Sequence, residues 1–169
     1  MRIFKLVMAL MLFSILYASI NCVAATQIVN VGNYIITIEC PDQMLVVPQS
    51  ENTIGLQSTI NAQNIIMLGA YPAKRSEIRL DVIDNLAQEY YGVTGREIPS
   101  TQPVGNIDVG VDGTSGFVTV EKYSENNAIA TIVSWPAPDN KAALGLIVMW
   151  NPSEKLAGII KSISVSKKY

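Results

Sequence analysis

The chain has 169 residues, a formal net charge of −2, two cysteines and no histidine. The absence of histidine excludes serine–histidine and cysteine–histidine catalytic pairs and removes the commonest metal ligand of proteins. A mildly acidic chain without a basic patch is a poor nucleic-acid binder, so no nucleic-acid partner is expected. If the chain is an enzyme, its composition leaves carboxylates as the candidate catalytic groups.

The first 25 residues have the organisation of a secretory signal peptide. Basic residues precede an apolar run over residues 6–20, and the small residues Val23, Ala24 and Ala25 follow it. The run is short for a membrane span, which needs about 20 apolar residues. We therefore predict cleavage after Ala25, with cleavage after Ala24 as the neighbouring alternative.

Two other outcomes for the N-terminal segment stay open. The first is acylation of Cys22, as in a bacterial lipoprotein, although Asn21 stands where such sequences carry Gly or Ala. The second is an uncleaved N-terminal anchor. The expected location is secreted, periplasmic or cell envelope, with a lipoprotein as the alternative. Membrane contact is expected only through the N-terminal segment, if it is retained or acylated.

Residues 26–169 have the size of one ordinary domain. Without Arg2 and Lys5, ten basic residues remain against fourteen acidic ones, which is a net charge of −4. Cys40 is the one cysteine left after cleavage, so no disulfide can form within the domain. The simplest interpretation of Cys40 is a small core residue.

The first half of the domain predicts extended segments followed by one helix. The extended segments span residues 27–31, 33–40, 44–47, 53–60 and 64–71. Apolar and polar residues alternate over 33–40, which is typical of a half-buried strand. The helix is predicted to run from its cap at Ser76 to about Tyr90, with Gly92 as its terminator.

The second half predicts a hairpin, two further strands and a second helix. The strands span residues 104–111, 114–123, 128–135 and 141–150. The Asp-Gly pair at 112–113 is the strongest short-range hairpin signal and joins the first two strands. Asn151, Pro152 and Glu154 have the pattern of a helix cap, a first helical residue and a capping-box partner. Residues 163–165 predict a short strand or an extension of that helix.

Strands joined by hairpins, with helices set against them, predict an α+β domain. We expect an antiparallel β-sheet of about six or seven strands flanked by two helices. The hairpin-led start, long middle helix, meander and closing helix followed by Lys161-Ser162-Ile163 resemble the PsbP-like fold. That family includes the lumenal extrinsic protein of photosystem II and exported bacterial relatives. The resemblance implies an exported α/β/α sandwich over residues 26–169 and assigns no functional residue.

No motif in the sequence calls for a cofactor or a metal. The acidic residues along the middle helix are typical of a solvated face. Asp108 and Asp112 have part of the spacing of a calcium-binding loop, but Gly110 and Thr119 stand where that loop needs oxygen ligands. A hairpin turn explains the same residues better. The sequence therefore predicts no catalytic residue, no cofactor and no metal site.

Trp135 and Trp150 are the candidate partner-binding residues. Each stands at the end of an apolar strand, next to Pro136 or Asn151, where a ring can leave the core and touch a partner. For aromatic residues within apolar patterns, core packing is the alternative. If both rings border one groove, that groove is the candidate binding site.

The predicted function is an exported, non-catalytic domain of the cell envelope or extracellular space. It is expected to bind an envelope protein or a small ligand. A carboxylate-dependent hydrolase, in which two acids converge in a pocket, is one alternative. A lipid-anchored component of an envelope assembly is the other.

Overall fold

The structure is a computed structural model, and it describes residues 24–48, 50–72, 79–95, 105–109, 115–122 and 129–169. Several predictions lie outside these residues: the signal peptide before residue 24 with Cys22, the helix cap at Ser76 and the hairpin turn at 112–113. The described residues form ten strands, two α-helices and one 3₁₀ helix.

The secondary structure follows the predicted order of elements. The strands are β1 (Ala25–Val31), β2 (Tyr34–Cys40), β3 (Met44–Pro48), β4 (Thr53–Ser58), β5 (Ile65–Pro72), β6 (Gly105–Asp108), β7 (Ser115–Lys122), β8 (Ile129–Pro136), β9 (Ala142–Trp150) and β10 (Ser164–Lys167). The helices are α1 (Arg79–Thr94) and α2 (Leu156–Lys161), and the 3₁₀ helix (Ser153–Lys155) runs directly into α2. Each strand predicted from the sequence coincides with one of these strands.

Hydrogen bonding joins the described strands into two antiparallel sheets. The larger sheet has the order β3-β4-β5-β9-β8-β7-β6, and the smaller one has the order β1-β2-β10. The predicted α+β class and the antiparallel pairing are therefore confirmed. The expectation of one sheet flanked by two helices is wrong, because β1, β2 and β10 form a separate sheet that covers the larger one.

The layers follow from the two faces of β9, in which all nine residues are buried. Leu144, Leu146 and the other even-numbered residues pack into one apolar cluster with β1, β2 and α2. Ile147 and Met149 pack into a second cluster with α1. A strand covered on both faces has a continuous apolar sequence, as residues 142–150 have. The order of layers is α1, the seven-stranded sheet, then the small sheet together with α2.

Helix α1 approaches the large sheet closely at Gly145. A Cβ atom at this position would lie 2.9 Å from a methyl group of Val82 and 3.1 Å from Cδ2 of Leu86. Both of those side chains are buried. The absence of a side chain in β9 therefore lets α1 lie against the middle of the sheet.

The ends of both helices differ from the predictions. Helix α1 continues through Gly92 and ends before Gly95, which has a φ of 67° and donates its N–H to Tyr91 O at 2.8 Å. The capping box before α2 does not form: Pro152 has extended backbone and caps the 3₁₀ helix without a side-chain hydrogen bond. Asn151 precedes it across a cis peptide bond and bonds elsewhere.

The small sheet packs on the large one so that the first residues of β2 and β9 lie at one end of the sandwich and their last residues lie at the other. At the start of both strands, Tyr34 lies beside Asp139 in the β8–β9 loop; we call this the Asp139 end. At the end of both strands, Cys40 and Trp150 line the same cleft; we call this the Trp150 end. These two ends contain the sites described below.

Candidate functional site

The two tryptophans lie at opposite ends of adjacent strands. In the register of β8 and β9, Trp135 pairs with Leu144, and Trp150 pairs with Ile129. The two pairs are six positions apart, which corresponds to about 20 Å at ~3.4 Å per residue. The rings therefore do not border one groove, so the condition for a binding site between them is not met.

Both tryptophan rings are buried. Trp135 is 0% exposed and Trp150 is 1% exposed, so core packing, the alternative interpretation, is what the structure shows. Within the described part of the chain, Trp135 Nε1 has no hydrogen-bond partner. Trp150 differs from it in one respect, because this residue borders an open cleft. A role for either ring in binding a partner stays a prediction.

The cleft beside Trp150 has a volume of about 610 Å³. Its floor consists of Cys40 from β2, Trp150 from β9 and Ile159 from α2, which are at most 2% exposed, so the apolar surface open to solvent belongs to rim residues such as Pro152. On its rim, Ile60 is 73% exposed. Ligand pockets have about 300–1,000 Å³ and mostly apolar walls. We call this site the Trp150 cleft.

One wall of the Trp150 cleft is a cluster of hydrogen-bonded polar side chains. Asn64, which is 3% exposed, donates from Nδ2 to Asn151 O at 3.3 Å and accepts the N–H of Asn151 on Oδ1 at 2.9 Å. Asp42 Oδ2 accepts Ser58 Oγ at 2.6 Å and Asn64 Nδ2 at 3.4 Å. Because buried polar groups must be paired, these bonds hold the wall in one arrangement.

The turn between β4 and β5 places this wall. Ser58 Oγ accepts the N–H groups of Ile60 and Asn61 at 3.1 Å each, and Asn61 Oδ1 accepts the N–H of Gln63 at 3.0 Å. Short polar side chains stabilise turns by bonding to nearby backbone in this way. The turn brings Ile60 to the rim and points Asn64 towards the end of β9.

The thiol of Cys40 belongs to the floor of the cleft. Burial and the nearby carboxylate of Asp42 raise its pKa to about 12. A thiol with this pKa stays protonated at neutral pH and is a poor nucleophile. The prediction that Cys40 is a small core residue is confirmed by its complete burial.

At the Asp139 end, side chains close the gap between the two sheets. Tyr34 donates its hydroxyl to Asp139 Oδ1 at 2.8 Å, and Lys167 Nζ lies 3.0 Å from Asp139 Oδ2. The N–H of Lys141 also donates to Oδ1 at 3.1 Å. These contacts tie the β8–β9 loop to β2 and β10 and leave a pocket of only about 200 Å³.

The same contacts shift two pKa values at the Asp139 end. The hydrogen bonds from Tyr34, Lys167 and the Lys141 backbone, in that order, lower the pKa of the Asp139 carboxyl to about 2. Burial first, and then the hydrogen bond to Asp139, raises the pKa of the Tyr34 hydroxyl to about 12. Tyr34 is therefore neutral and Asp139 ionised at neutral pH.

The described residues were compared with what a metal site and a membrane span require of a protein. They contain no group of three or more histidine, cysteine, aspartate or glutamate side chains placed to hold a metal ion. None of the helices in the described ranges is long and apolar enough to cross a membrane.

Comparison with known proteins does not assign the chain to a family. No protein-family model matches it, and no curated protein matches it. A crystal structure from Bacteroides thetaiotaomicron VPI-5482, at 1.50 Å resolution, matches with a TM-score of 0.46 and 11% sequence identity. The match covers 79% of this chain and 45% of that one, so this chain spans less than half of that protein's length. A similarity at this level supports no functional conclusion.

Proposed function

We propose that the chain is an exported, non-catalytic domain that binds a protein partner or a small ligand in the Trp150 cleft. One observation carries the proposal: in a cleft of about 610 Å³, the exposed apolar side chains of Ile60 and Pro152 lie beside a wall of polar side chains that hold one another in place. This combination of apolar surface and a few oriented polar groups is characteristic of binding sites. The location, cell envelope or extracellular space, is supported by the signal-peptide pattern of residues 1–25.

The processing of the N-terminus remains part of the proposal. Cleavage after Ala25 is favoured, and acylation of Cys22 is the alternative. Ala25 begins β1 and pairs with Cys40, and Ala24 lines the cleft. Processing at either predicted bond would therefore change one edge of the Trp150 cleft. The PsbP-like relationship stays a prediction from the order of elements.

A bulky residue at position 158 tests whether the Trp150 cleft binds ligands. Gly158 lies on α2 and lines the cleft, and a Cβ atom added there meets no atom within 4 Å. Gly158→Phe should therefore place a ring in the cleft without a clash. Gly92→Phe is the matched control, because Gly92 lies on α1 with the same free space around it.

The measurement is a series of two-dimensional ¹H–¹⁵N NMR spectra of the protein during titration with small aromatic and aliphatic fragments. We expect fragments to shift the amide signals of Asp42, Asn64 and Gly158. These shifts should disappear in Gly158→Phe and persist in Gly92→Phe. Shifts that are scattered over the surface, or that survive Gly158→Phe, would contradict the proposal.

A further inference from the structure

The outer strands of the two described sheets differ in how far their edges are protected against pairing with another chain. Proteins commonly protect such edges with charged side chains or by keeping the strand short. β6 and β10 have four residues each and carry Asp108 and Lys167. β1 carries the polar residues Thr26 and Asn30 on either side of Ile28. β3 is the outer strand that is entirely apolar, with the sequence Met-Leu-Val-Val-Pro.

The apolar side chains of β3 are exposed on both faces of the sheet. Leu45 is 57% exposed, Val46 is 48% exposed and Val47 is 37% exposed. Because successive side chains of a strand alternate, Leu45 and Val47 project from one face and Val46 projects from the other. Three consecutive exposed apolar residues are typical of a surface that another chain covers.

The backbone of β3 is arranged to accept a further strand. The N–H of Thr59 donates to the carbonyl of Gln43 at 3.0 Å, in line with the register of β3 and β4. Bonded and non-bonded positions alternate along an antiparallel pair, so the odd-numbered residues of β3 bond to β4. The even-numbered residues, Met44, Val46 and Pro48, therefore direct their backbone groups away from β4. Among the described strands, β4 is the one neighbour of β3.

We infer that β3 pairs with the β3 strand of a second copy of this chain, antiparallel and about a two-fold axis at Val46. Val46 then faces Val46 of the second copy, and the two residues exchange a pair of backbone hydrogen bonds. On each side of the axis, the N–H of Met44 reaches the carbonyl of Pro48 of the second copy. Leu45 packs against Val47 of the second copy, so the exposed apolar side chains cover one another.

The distribution of charge favours a second copy as the partner. The chain has a net charge of −2, so two copies repel each other where carboxylates face one another. Residues 43–50 contain no charged side chain. The acidic residues that flank this stretch, Asp42 and Glu51, lie opposite Ser50 and Pro41 of the second copy in the inferred register, and not opposite each other. The pairing therefore buries apolar surface without bringing like charges together.

This surface is separate from the Trp150 cleft, because no residue of β3 lines that cleft. The inference therefore goes beyond the proposed function and does not rest on it.

Sedimentation velocity of the purified protein, from micromolar to millimolar concentration, tests the pairing. We expect dimers whose fraction rises with concentration. Val46→Lys places two ammonium groups opposite each other at the axis and should raise the dissociation constant of the dimer about tenfold or more. Ile28→Lys is the matched control, because Ile28 is 70% exposed on the outer strand β1, and it should leave the dissociation constant unchanged.

A mixture of two variants tests the position of the axis. Val46→Lys and Val46→Glu should each be monomeric alone, and an equimolar mixture should form dimers, because a residue faces its own copy only at a two-fold axis. Circular dichroism checks that the variants fold. If Val46→Lys does not fold, Val46→Pro takes its place, since it removes an N–H that points away from β4 and should also abolish the dimer.

Each other outcome overturns the inference. A protein that stays monomeric at millimolar concentration does not pair through β3. Dimers that persist in Val46→Lys, or that Ile28→Lys weakens equally, would place the interface elsewhere. A mixture that stays monomeric would contradict the axis at Val46.

Discussion

The two ends of the sandwich connect the same two sheets by different interactions. At the Asp139 end, a carboxylate, a phenol and an ammonium group meet across the gap and close it. At the Trp150 end, the polar groups bond to one another along a single wall. The cleft beside that wall then stays open to solvent. Polar groups that bond across a gap seal it, whereas groups that bond along one side can shape a site.

The largest expected difference between the ends concerns the two tryptophans. Trp135→Ala should cost about 3–5 kcal/mol of unfolding free energy, because it leaves a closed cavity in the core. Trp150→Ala should cost about 3 kcal/mol or less, because the vacated space opens into the cleft and fills with water. Urea unfolding followed by circular dichroism measures both. Tyr91→Ala, at a residue that is half exposed, is the control and should change stability by about 0.5 kcal/mol. A larger loss for Trp150→Ala would show that the Trp150 end is the better packed one.

Asn64 should have the next largest effect, at the Trp150 end. Asn64→Ala removes the hydrogen bonds of a buried side chain to both the N–H and the carbonyl of Asn151, so we expect a loss of about 2–3 kcal/mol. The control is Asn61→Ala in the same turn. It removes the bonds of Asn61 to the N–H of Gln63 and to Asn64 Oδ1 but keeps the bridge from Asn64 to Asn151, and it should cost about 1 kcal/mol. Thermal and urea unfolding give both values. Equal losses would mean that the wall does not depend on the bridge to β9.

The reactivity of Cys40 should report opening of the Trp150 end. Its thiol is buried and its pKa is raised to about 12, so it should react with Ellman's reagent far more slowly than a free thiol at pH 8. Asn64→Ala should accelerate the reaction by loosening the wall, whereas Lys167→Met at the Asp139 end should not. Cys22→Ala is included in every variant so that only Cys40 reacts. Equal acceleration by both changes would show that the ends do not open independently.

The Asp139 end should account for part of the pH dependence at acid pH. The pKa of Asp139 is lowered to about 2 in the native state. A lowered pKa means that the folded state favours the carboxylate. The stabilisation is therefore complete above about pH 4 and is lost as the pH falls through about 2. Asp139→Asn should flatten the stability profile in this window, as urea midpoints at successive pH values would show. An unchanged profile would contradict the assignment.

The smallest expected effect is that of the ion pair itself. The Lys167 side chain is 49% exposed, so its attraction to Asp139 is screened by water. Lys167→Met should lower stability by about 1 kcal/mol or less, and less at high salt. Urea unfolding at two salt concentrations checks this, with Lys161→Met as the control. A larger loss would mean that the ion pair, rather than the hydroxyl of Tyr34, holds this end closed.

Strand positions were predictable because they depend on local sequence. Alternation over 33–40 indicates a strand with one buried face, and a continuous apolar run over 141–150 indicates a strand with two. The strand predicted over 141–150, β9, is the middle one of the seven-stranded sheet. The separate small sheet was not predictable in the same way. Ser164 in β10 pairs with Thr37 in β2. A local sequence pattern does not identify a pairing strand so distant in the chain.

A groove between the two tryptophans could have been excluded from the sequence. Two consecutive antiparallel strands have their carboxyl ends at opposite ends of the sheet, so Trp135 and Trp150 could not share a groove once both strands were predicted to pair. The failure of the capping box could not have been foreseen. Asn151 fits a capping box by local rules, but Asn64, 87 residues earlier, bonds its backbone instead.

The sequence by itself determined the α+β class, the strands and the absence of histidine chemistry, since these depend on composition and short periods, and it predicts the export signal. Tertiary structure decided the division into two sheets, the burial of both tryptophans and the Trp150 cleft. The physical reason is that each of these depends on contacts between segments far apart in the chain. Side-chain patterns state which faces are buried, but only packing shows what buries them and where a surface is left open.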